Sequence, residues 1–193
     1  MSVWLAGEGN NELGIDDALG RRTGGALEAL LRRVRADGWT REGSSVWARI
    51  QKYRVRGATE RHADFFNVAG LALYASDKRC NVLAFVRDED GDENREEAVR
   101  AALAWVRENL AIEVIGGVAK PALEGWILAM RGHRKTDELS RSKCKEHLEA
   151  AGVVLKDTRG YVAVIEAAEL ETLPEGCESL GRWLARAREL LNV

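Results

Sequence analysis

The chain has 193 residues, of which 46% are hydrophobic, and this is typical of one globular domain with or without an appendage. Its formal charge of −2 excludes binding to nucleic acid through overall positive charge alone. No stretch approaches the roughly 20 apolar residues of a membrane span, and the N-terminus does not resemble a signal peptide. The cysteines Cys80, Cys144 and Cys177 are odd in number and widely spaced, so we expect free thiols in a reducing cytoplasm.

The chain begins with a segment that favours a strand. Residues 2–6 are apolar and include Val3 and Trp4, which are common in strands. Residues 7–14 hold three glycines and two asparagines, so we expect a loop that presents Glu8 directly after this strand. Apolar side chains then recur at helical spacing over residues 27–34 and predict an amphipathic helix.

The central segment combines a buried strand with a dense acidic run. Residues 82–86 are largely apolar and bounded by polar residues, which predicts a strand that is buried on both faces, as in a parallel sheet. Before it, residues 45–55 predict a half-exposed strand and residues 59–76 predict a helix. After it we predict helix 98–110, strand 111–115 ended by two glycines, helix 121–130, helix 140–148, a strand or helix over 161–170, and a closing helix 180–191. This alternation predicts an α/β fold with a mainly parallel sheet flanked by helices.

Charge is distributed unevenly along the chain. Residues 21–61 carry eleven Lys or Arg against four Asp or Glu, whereas residues 88–97 carry seven acidic residues against one Arg. Such a separation of signs favours a surface that attracts phosphate and a separate site that attracts a cation. Two solvated faces are the alternative explanation.

Part of the acidic run has a structural reason, and part does not. Glu93, Glu96 and Glu97 precede or begin a predicted helix, where the helix dipole favours negative charge. Asp88 and Asp90 lie at the end of the buried strand, where ligand sites occur in open α/β sheets. In extended backbone they would point to one face and repel each other, so a divalent metal ion is the expected counter-charge.

These acidic residues resemble a known family pattern. Glu8-Gly9 after the first strand and Asp88-x-Asp90 after a later strand are similar to the motifs of the TOPRIM domain of topoisomerases, primases and OLD-type nucleases. The segment 119–129, which includes Pro121, Glu124 and Trp126, is similar to a segment of small bacterial TOPRIM-like proteins that are often encoded beside an ATPase. The resemblance implies a TOPRIM-like (Rossmann-like) α/β core over residues 1–130. Residues 131–193 would then form a basic, mostly helical C-terminal extension packed on the core.

The resemblance implies a Mg²⁺- or Mn²⁺-dependent nuclease that hydrolyses DNA or RNA, in a bacterial defence or toxin-like system with an ATPase partner. Glu8, Asp88 and Asp90 would be the catalytic and metal-binding residues. A second ion would take ligands from Glu12, Asp92 or Glu124, although Glu124 is also explained as a surface group at a helix start. Basic residues would hold the phosphate backbone, and the candidates are Arg87, Lys120, Arg134, Lys135, Lys143 and Lys145.

Two residues depart from the family pattern. Arg87 stands where an apolar residue is usual, and Asn11 replaces a residue with a hydroxyl group. Neither change removes a carboxylate, but both fit an alternative in which the chain is a non-catalytic TOPRIM-like binding or regulatory subunit of an ATPase complex. A second alternative is an α/β domain of another kind whose acidic loop is a solvated turn. Assembly into a homo-oligomer is open at this stage.

Overall fold

A four-stranded parallel sheet forms the centre of the molecule in a computed structural model that describes residues 1–16, 22–50, 62–155 and 157–191. The strands are β1 (Ser2–Gly7), β2 (Gly14–Asp16), β3 (Arg22–Gly24), β4 (Thr40–Val46), β5 (Val82–Asp88) and β6 (Glu113–Ala119). The helices are α1 (Asn10–Leu13), α2 (Ala26–Val34), α3 (Ala63–Asp77), α4 (Arg95–Asn109), α5 (Leu123–Met130), α6 (Arg141–Ala150), α7 (Thr158–Ala167) and α8 (Glu178–Leu191).

The sheet has the strand order β4-β1-β5-β6, and every neighbouring pair in it is parallel. The short strands β2 and β3 form a separate antiparallel pair. Because all four strands of the main sheet run the same way, their carboxyl ends share one edge. This architecture confirms the predicted α/β fold with a mainly parallel sheet flanked by helices.

Apolar side chains are buried on both faces of the sheet, as the continuous apolar run of β5 predicts. On one face, α2 and α5 to α8 pack around Trp126, Tyr161 and Trp183, which are at most 1% exposed. On the other face, α3 and α4 pack around Phe65 and Phe85. Residues beyond 131 therefore contribute to the same buried cluster as β1 and β5, and this helical part completes one face of the core.

Several predicted boundaries differ from the observed ones. The predicted strand 45–55 is wrong for residues 47–50, because β4 ends at Val46 and a 3₁₀ turn spans Trp47–Arg49. Residues 51–55 of that prediction, and residues 59–61 of the predicted helix 59–76, lie outside the described residues. The segment 161–170, predicted as strand or helix, belongs mostly to helix α7.

The glycines at 116 and 117 do not end a strand, because β6 runs through both of them. A Cβ atom at Gly116 would lie 2.1 Å from Cε1 of Phe85, so the absent side chain makes room for a core aromatic ring. The predicted loop 7–14 likewise contains the single helical turn α1. A Cβ atom at Gly7 would lie 2.5 Å from Cβ of Glu12, so this glycine lets the turn fold back onto β1.

None of the helices in the described ranges is both long and apolar enough to cross a membrane.

Candidate metal centre

The carboxyl ends of β1 and β5 bring the predicted acidic residues together. These strands pair in parallel, so Glu8, which follows β1, lies beside Asp88, the last residue of β5. The backbone N–H of Asp88 donates to Oε1 of Glu8 at 3.2 Å. One carboxylate oxygen each from Glu8, Asp88 and Asp90 all lie within 4.8 Å of one another. We call these three residues, with Glu12 and Glu124, the Asp88 cluster.

Asp90 reaches the cluster by a different route from the one predicted. Its backbone is not extended but left-handed, with φ of 51°, and Gly91 follows with φ of 73°. Aspartate tolerates this conformation better than most residues do. The backbone N–H groups of Glu89 and Asp90 both donate to the carbonyl of Pro121, at 3.1 and 3.2 Å. A sharp turn held by the β6–α5 loop thus directs Asp90 towards Asp88.

Asp88 is the most deeply buried acid of the cluster, with 2% exposure. Its Oδ1 accepts a hydrogen bond of 2.8 Å from the backbone N–H of Leu123, the first residue of α5. Burial raises the pKa of Asp88 to about 7, and the Glu8 carboxylate adds to this effect, although Leu123 and Arg141 oppose it. The explanation of the acidic loop as a plain solvated turn therefore fails for this residue.

Glu12 and Glu124 line the same cavity as Glu8 and Asp88, which has a volume of about 470 Å³. Glu12 uses Oε2 to accept the backbone N–H of Gly9 at 2.8 Å, so one of its oxygens is committed to the first turn of α1. Glu124 is 7% exposed, and its Oε2 atom is buried with no hydrogen-bond partner among the described residues. The interpretation of Glu124 as an exposed surface group is therefore wrong, and its side chain lies inside.

One residue that sequence reasoning missed contributes a cation to the cluster. Arg141, the first residue of α6, places one guanidinium nitrogen 3.0 Å from Oδ2 of Asp88 and another in contact with Asp90. Its Nε atom lies 3.7 Å from Oε2 of Glu124. The available signal was the spacing of Arg141 and Lys145, which are four residues apart and so share one face of a helix.

The two departures from the family pattern both make contacts within the chain. Arg87 contacts the Glu8 carboxylate, lies 3.5 Å from Asp64, and stacks over the Trp47 ring with its guanidinium 5.3 Å from the ring centroid. Asn11 accepts a hydrogen bond of 3.4 Å from the hydroxyl of Thr158, which joins α1 to α7. Arg87 is thus a counter-ion of Glu8.

The other predicted phosphate ligands are mostly placed elsewhere. Lys145 lines the cavity, with its amine 4.0 Å from Glu124. Lys120 pairs with Glu96 at 2.6 Å, which raises the pKa of the lysine through a hydrogen bond. The remaining candidates do not line the cavity, and all three are exposed: Arg134, Lys135 and Lys143. Arg134 pairs with Glu175.

A second group of titratable residues lies beside the first, and we call it the Asp64 cluster: His62, Asp64 and Asp92. One ligand atom from each lies within 4.8 Å of the others. His62 accepts the backbone N–H of Asp64 at 3.2 Å through Nδ1, and its Nε2 lies 3.0 Å from Asp92. Arg95 donates to Asp64 at 2.7 Å. Asp92, predicted as a ligand of a second ion, therefore belongs to this cluster.

Comparison with known proteins gives no relative from which to infer a function. No family model, no curated protein and no solved structure matches this chain.

Proposed function

We propose that this chain is a Mg²⁺- or Mn²⁺-dependent phosphodiesterase that hydrolyses DNA or RNA on a TOPRIM-like fold. The observation that carries the proposal is the convergence of Glu8, Asp88 and Asp90 at the carboxyl edge of a parallel sheet. The position matches the expected place of a ligand site in such sheets. The order of the motifs along the chain supports the TOPRIM assignment.

The residues of the Asp88 cluster fit a hard divalent cation. All of its donors are carboxylate oxygens, which Mg²⁺ and Mn²⁺ prefer over nitrogen or sulfur. The cavity is lined by four acidic side chains and two basic ones, so it has a formal excess of two negative charges. The buried Oε2 of Glu124 is a further oxygen, and it accepts no hydrogen bond from the described residues. A cation in this cavity would satisfy both the charge and the free oxygen.

Within this proposal, Glu8, Asp88 and Asp90 hold the ion, and Glu12 and Glu124 provide further oxygens. When bound, the ion supplies polarisation of a phosphoryl oxygen and a lower pKa of its water ligand. Glu8 has access to solvent, since its side chain is 26% exposed, and it would accept the proton of the attacking water. Lys145 at the cavity holds a non-bridging phosphate oxygen.

A second candidate function is a non-catalytic binding or regulatory subunit. The observation that favours it is the presence of two arginines, Arg87 and Arg141, against the same carboxylates that would hold the ion. In that case these arginines take the place of the ion against Glu8 and Asp88, and the cluster turns over no substrate. Under both candidates we propose a cytoplasmic protein with an ATPase partner in a bacterial defence system, on the basis of the family resemblance.

Cleavage assays distinguish the two candidates. Single-stranded DNA, double-stranded DNA and tRNA would be incubated with the wild-type protein in Mg²⁺, Mn²⁺ or EDTA, with and without a partner ATPase. We expect metal-dependent cleavage that falls at least about 100-fold in Glu8→Gln and Asp88→Asn. Glu113→Gln is the matched control, because Glu113 begins β6 at the opposite edge of the sheet.

The outcomes separate the candidates clearly. Cleavage by the wild type and by Glu113→Gln, together with loss in both cluster variants, supports the nuclease. Metal binding without cleavage of any substrate, with or without the ATPase, supports the regulatory subunit instead. Cleavage that persists in Asp88→Asn contradicts the assignment of the site.

A further inference from the structure

The contacts of Arg141 with the Asp88 cluster are weaker than those of a typical structural counter-ion. Its guanidinium is divided among three carboxylates, and it forms no bidentate pair with any one of them, which is the arrangement that makes arginine pairs strong. Its Nε atom is buried without a hydrogen bond, and the Oε2 atom of Glu124 that faces it at 3.7 Å also has none. Each of these buried polar atoms lacks a hydrogen bond from the described residues, and this destabilises the arrangement.

Arg95 shows what a permanent counter-ion looks like in the same protein. Its Nε donates to Asp64 at 2.7 Å, and NH1 donates to the backbone carbonyls of Asp88 and Glu89 at 2.6 and 2.7 Å. The side chain of Arg95 is 10% exposed, whereas that of Arg141 is 39% exposed. Arg95 is thus fixed by the backbone, whereas the Arg141 guanidinium contacts only side chains among the residues that the structure describes.

The position of Arg141 at the start of α6 also allows it to bind a phosphate group at the cavity. It is the first residue of this helix, after the cap residue Ser140, whose hydroxyl accepts the N–H of Lys143. Lys145 lies one turn further along the same face and also lines the cavity. Two cations on one helix face, at a cavity that is partly open to solvent, form a suitable pair of ligands for a phosphate group.

We propose that Arg141 is an exchangeable counter-ion, which offsets part of the negative charge of the Asp88 cluster in the metal-free protein and binds a substrate phosphate when a divalent ion takes its place. This inference rests on the proposed metal site and names a residue that couples metal loading to substrate binding. A guanidinium and a divalent cation repel each other, so each binds the same oxygens of Asp88 and Asp90 more weakly when the other is present. Metal therefore releases Arg141 towards the incoming phosphate.

Binding experiments test this coupling without any need for cleavage. Mn²⁺ affinity would be measured by calorimetry and by electron paramagnetic resonance for the wild type, Arg141→Gln, Arg141→Lys and Arg186→Gln. Arg186 is the matched control, because it also pairs with carboxylates, Glu113 and Glu189, but lies away from the cavity. Affinity for a short single-stranded oligonucleotide would then be measured in saturating Ca²⁺.

We expect Arg141→Gln to bind Mn²⁺ about tenfold more tightly than the wild type and the oligonucleotide about tenfold more weakly, within the usual range of coupled binding. Arg141→Lys keeps the charge, so its Mn²⁺ affinity is expected to stay within about threefold of the wild type. Arg186→Gln should match the wild type in both measurements. Circular dichroism would verify that each variant is folded.

The contrary results are distinct for the two proposals. Equal or weaker Mn²⁺ binding by Arg141→Gln, beside clear binding by the wild type, overturns the exchange of Arg141 and leaves the metal site intact. Absence of Mn²⁺ binding in both proteins overturns the metal site and the exchange together. Binding by Arg141→Gln alone also overturns the exchange, because the arginine is then a permanent block that the metal ion does not displace in the wild type.

Discussion

The Asp88 and Asp64 clusters lie side by side at the carboxyl edge of the sheet, yet their charges are balanced in different ways. In the Asp64 cluster, both ring nitrogens of His62 have partners, and Arg95 is held by backbone carbonyls as well as by Asp64. In the Asp88 cluster, Oε2 of Glu124 accepts no hydrogen bond from the described residues. The partly exposed Arg141 contacts three different carboxylates. The difference teaches that convergence of acidic groups alone does not mark a metal site. The more informative sign is a buried carboxylate oxygen that accepts no hydrogen bond from the described residues.

The largest expected effect is the loss of stability caused by Asp64→Asn in the Asp64 cluster. Asp64→Asn removes the carboxylate that faces Arg95 and Arg87, and Asp64 is only 3% exposed. Loss of one partner of a buried ion pair costs about 3–5 kcal/mol, because the remaining charge stays buried. Urea unfolding would measure this loss, and Asp77→Asn, at the exposed end of the same helix, should change stability by less than about 0.5 kcal/mol. A loss below about 1 kcal/mol for Asp64→Asn would show that this cluster is not a structural one.

An intermediate effect of opposite sign is expected for Asp88→Asn in EDTA. The folded-state pKa of Asp88 is about 7 against an ordinary value of 3.8, so the folded state holds the proton more tightly than the unfolded state. The contribution of Asp88 to the free energy of unfolding should therefore be highest below pH 4, fall as pH rises, and level off above pH 7. At pH 8 we expect Asp88→Asn to be more stable than the wild type by up to about 4 kcal/mol, since the two pKa values differ by about three units and each unit corresponds to about 1.4 kcal/mol.

Unfolding of both proteins at pH 5, 6, 7 and 8 checks this expectation. The variant should lack the part of the pH dependence that Asp88 contributes. If Asp88→Asn is instead destabilised at pH 8 by more than about 1 kcal/mol, the carboxylate is stabilising in the metal-free protein, and the contrast between the clusters is lost.

The smallest expected effect is that of His62→Ala. This change removes the acceptor of the Asp64 backbone N–H at the start of α3, and caps of this kind contribute about 0.5–1 kcal/mol. Because we assign His62 to a structural cluster, its loss should leave Mn²⁺ affinity unchanged in a calorimetric titration. A tenfold weaker affinity in His62→Ala would place the metal site, or part of it, in the Asp64 cluster.

The parts of the fold and site that could be predicted are those with a local signal. The apolar run of β5 indicates burial on both faces, and the alternation of strands and helices predicts a mainly parallel sheet. It does not predict that β1 and β5 are neighbours, and Glu8 is grouped with Asp88 through the resemblance to the TOPRIM motifs. The glycines of β6 misled the prediction, because the reason for Gly116 is the Phe85 ring on a neighbouring strand. Because Phe85 lies on another strand, the residues around Gly116 in the sequence do not show why a glycine is needed there.

The counter-ions could not be predicted for the same reason. Arg141 is 51 residues from Asp90 in the chain, and only the packing of α6 brings it to the cavity. Arg95 is the single basic residue in the acidic run of residues 88–97, which was a usable signal that a buried carboxylate lay nearby. Asp64 itself lies in the first turn of a helix, where an acid has an ordinary explanation through the helix dipole.

Anomalous diffraction from crystals of the wild-type protein soaked in Mn²⁺ tests most directly which cluster binds metal. We predict a peak at the manganese absorption edge that is bounded by Glu8, Asp88 and Asp90, with the Arg141 guanidinium displaced from Asp88. The same experiment on Asp88→Asn should show no peak at this position. A peak between His62, Asp64 and Asp92, or no ordered manganese at either cluster, would contradict the proposed metal centre.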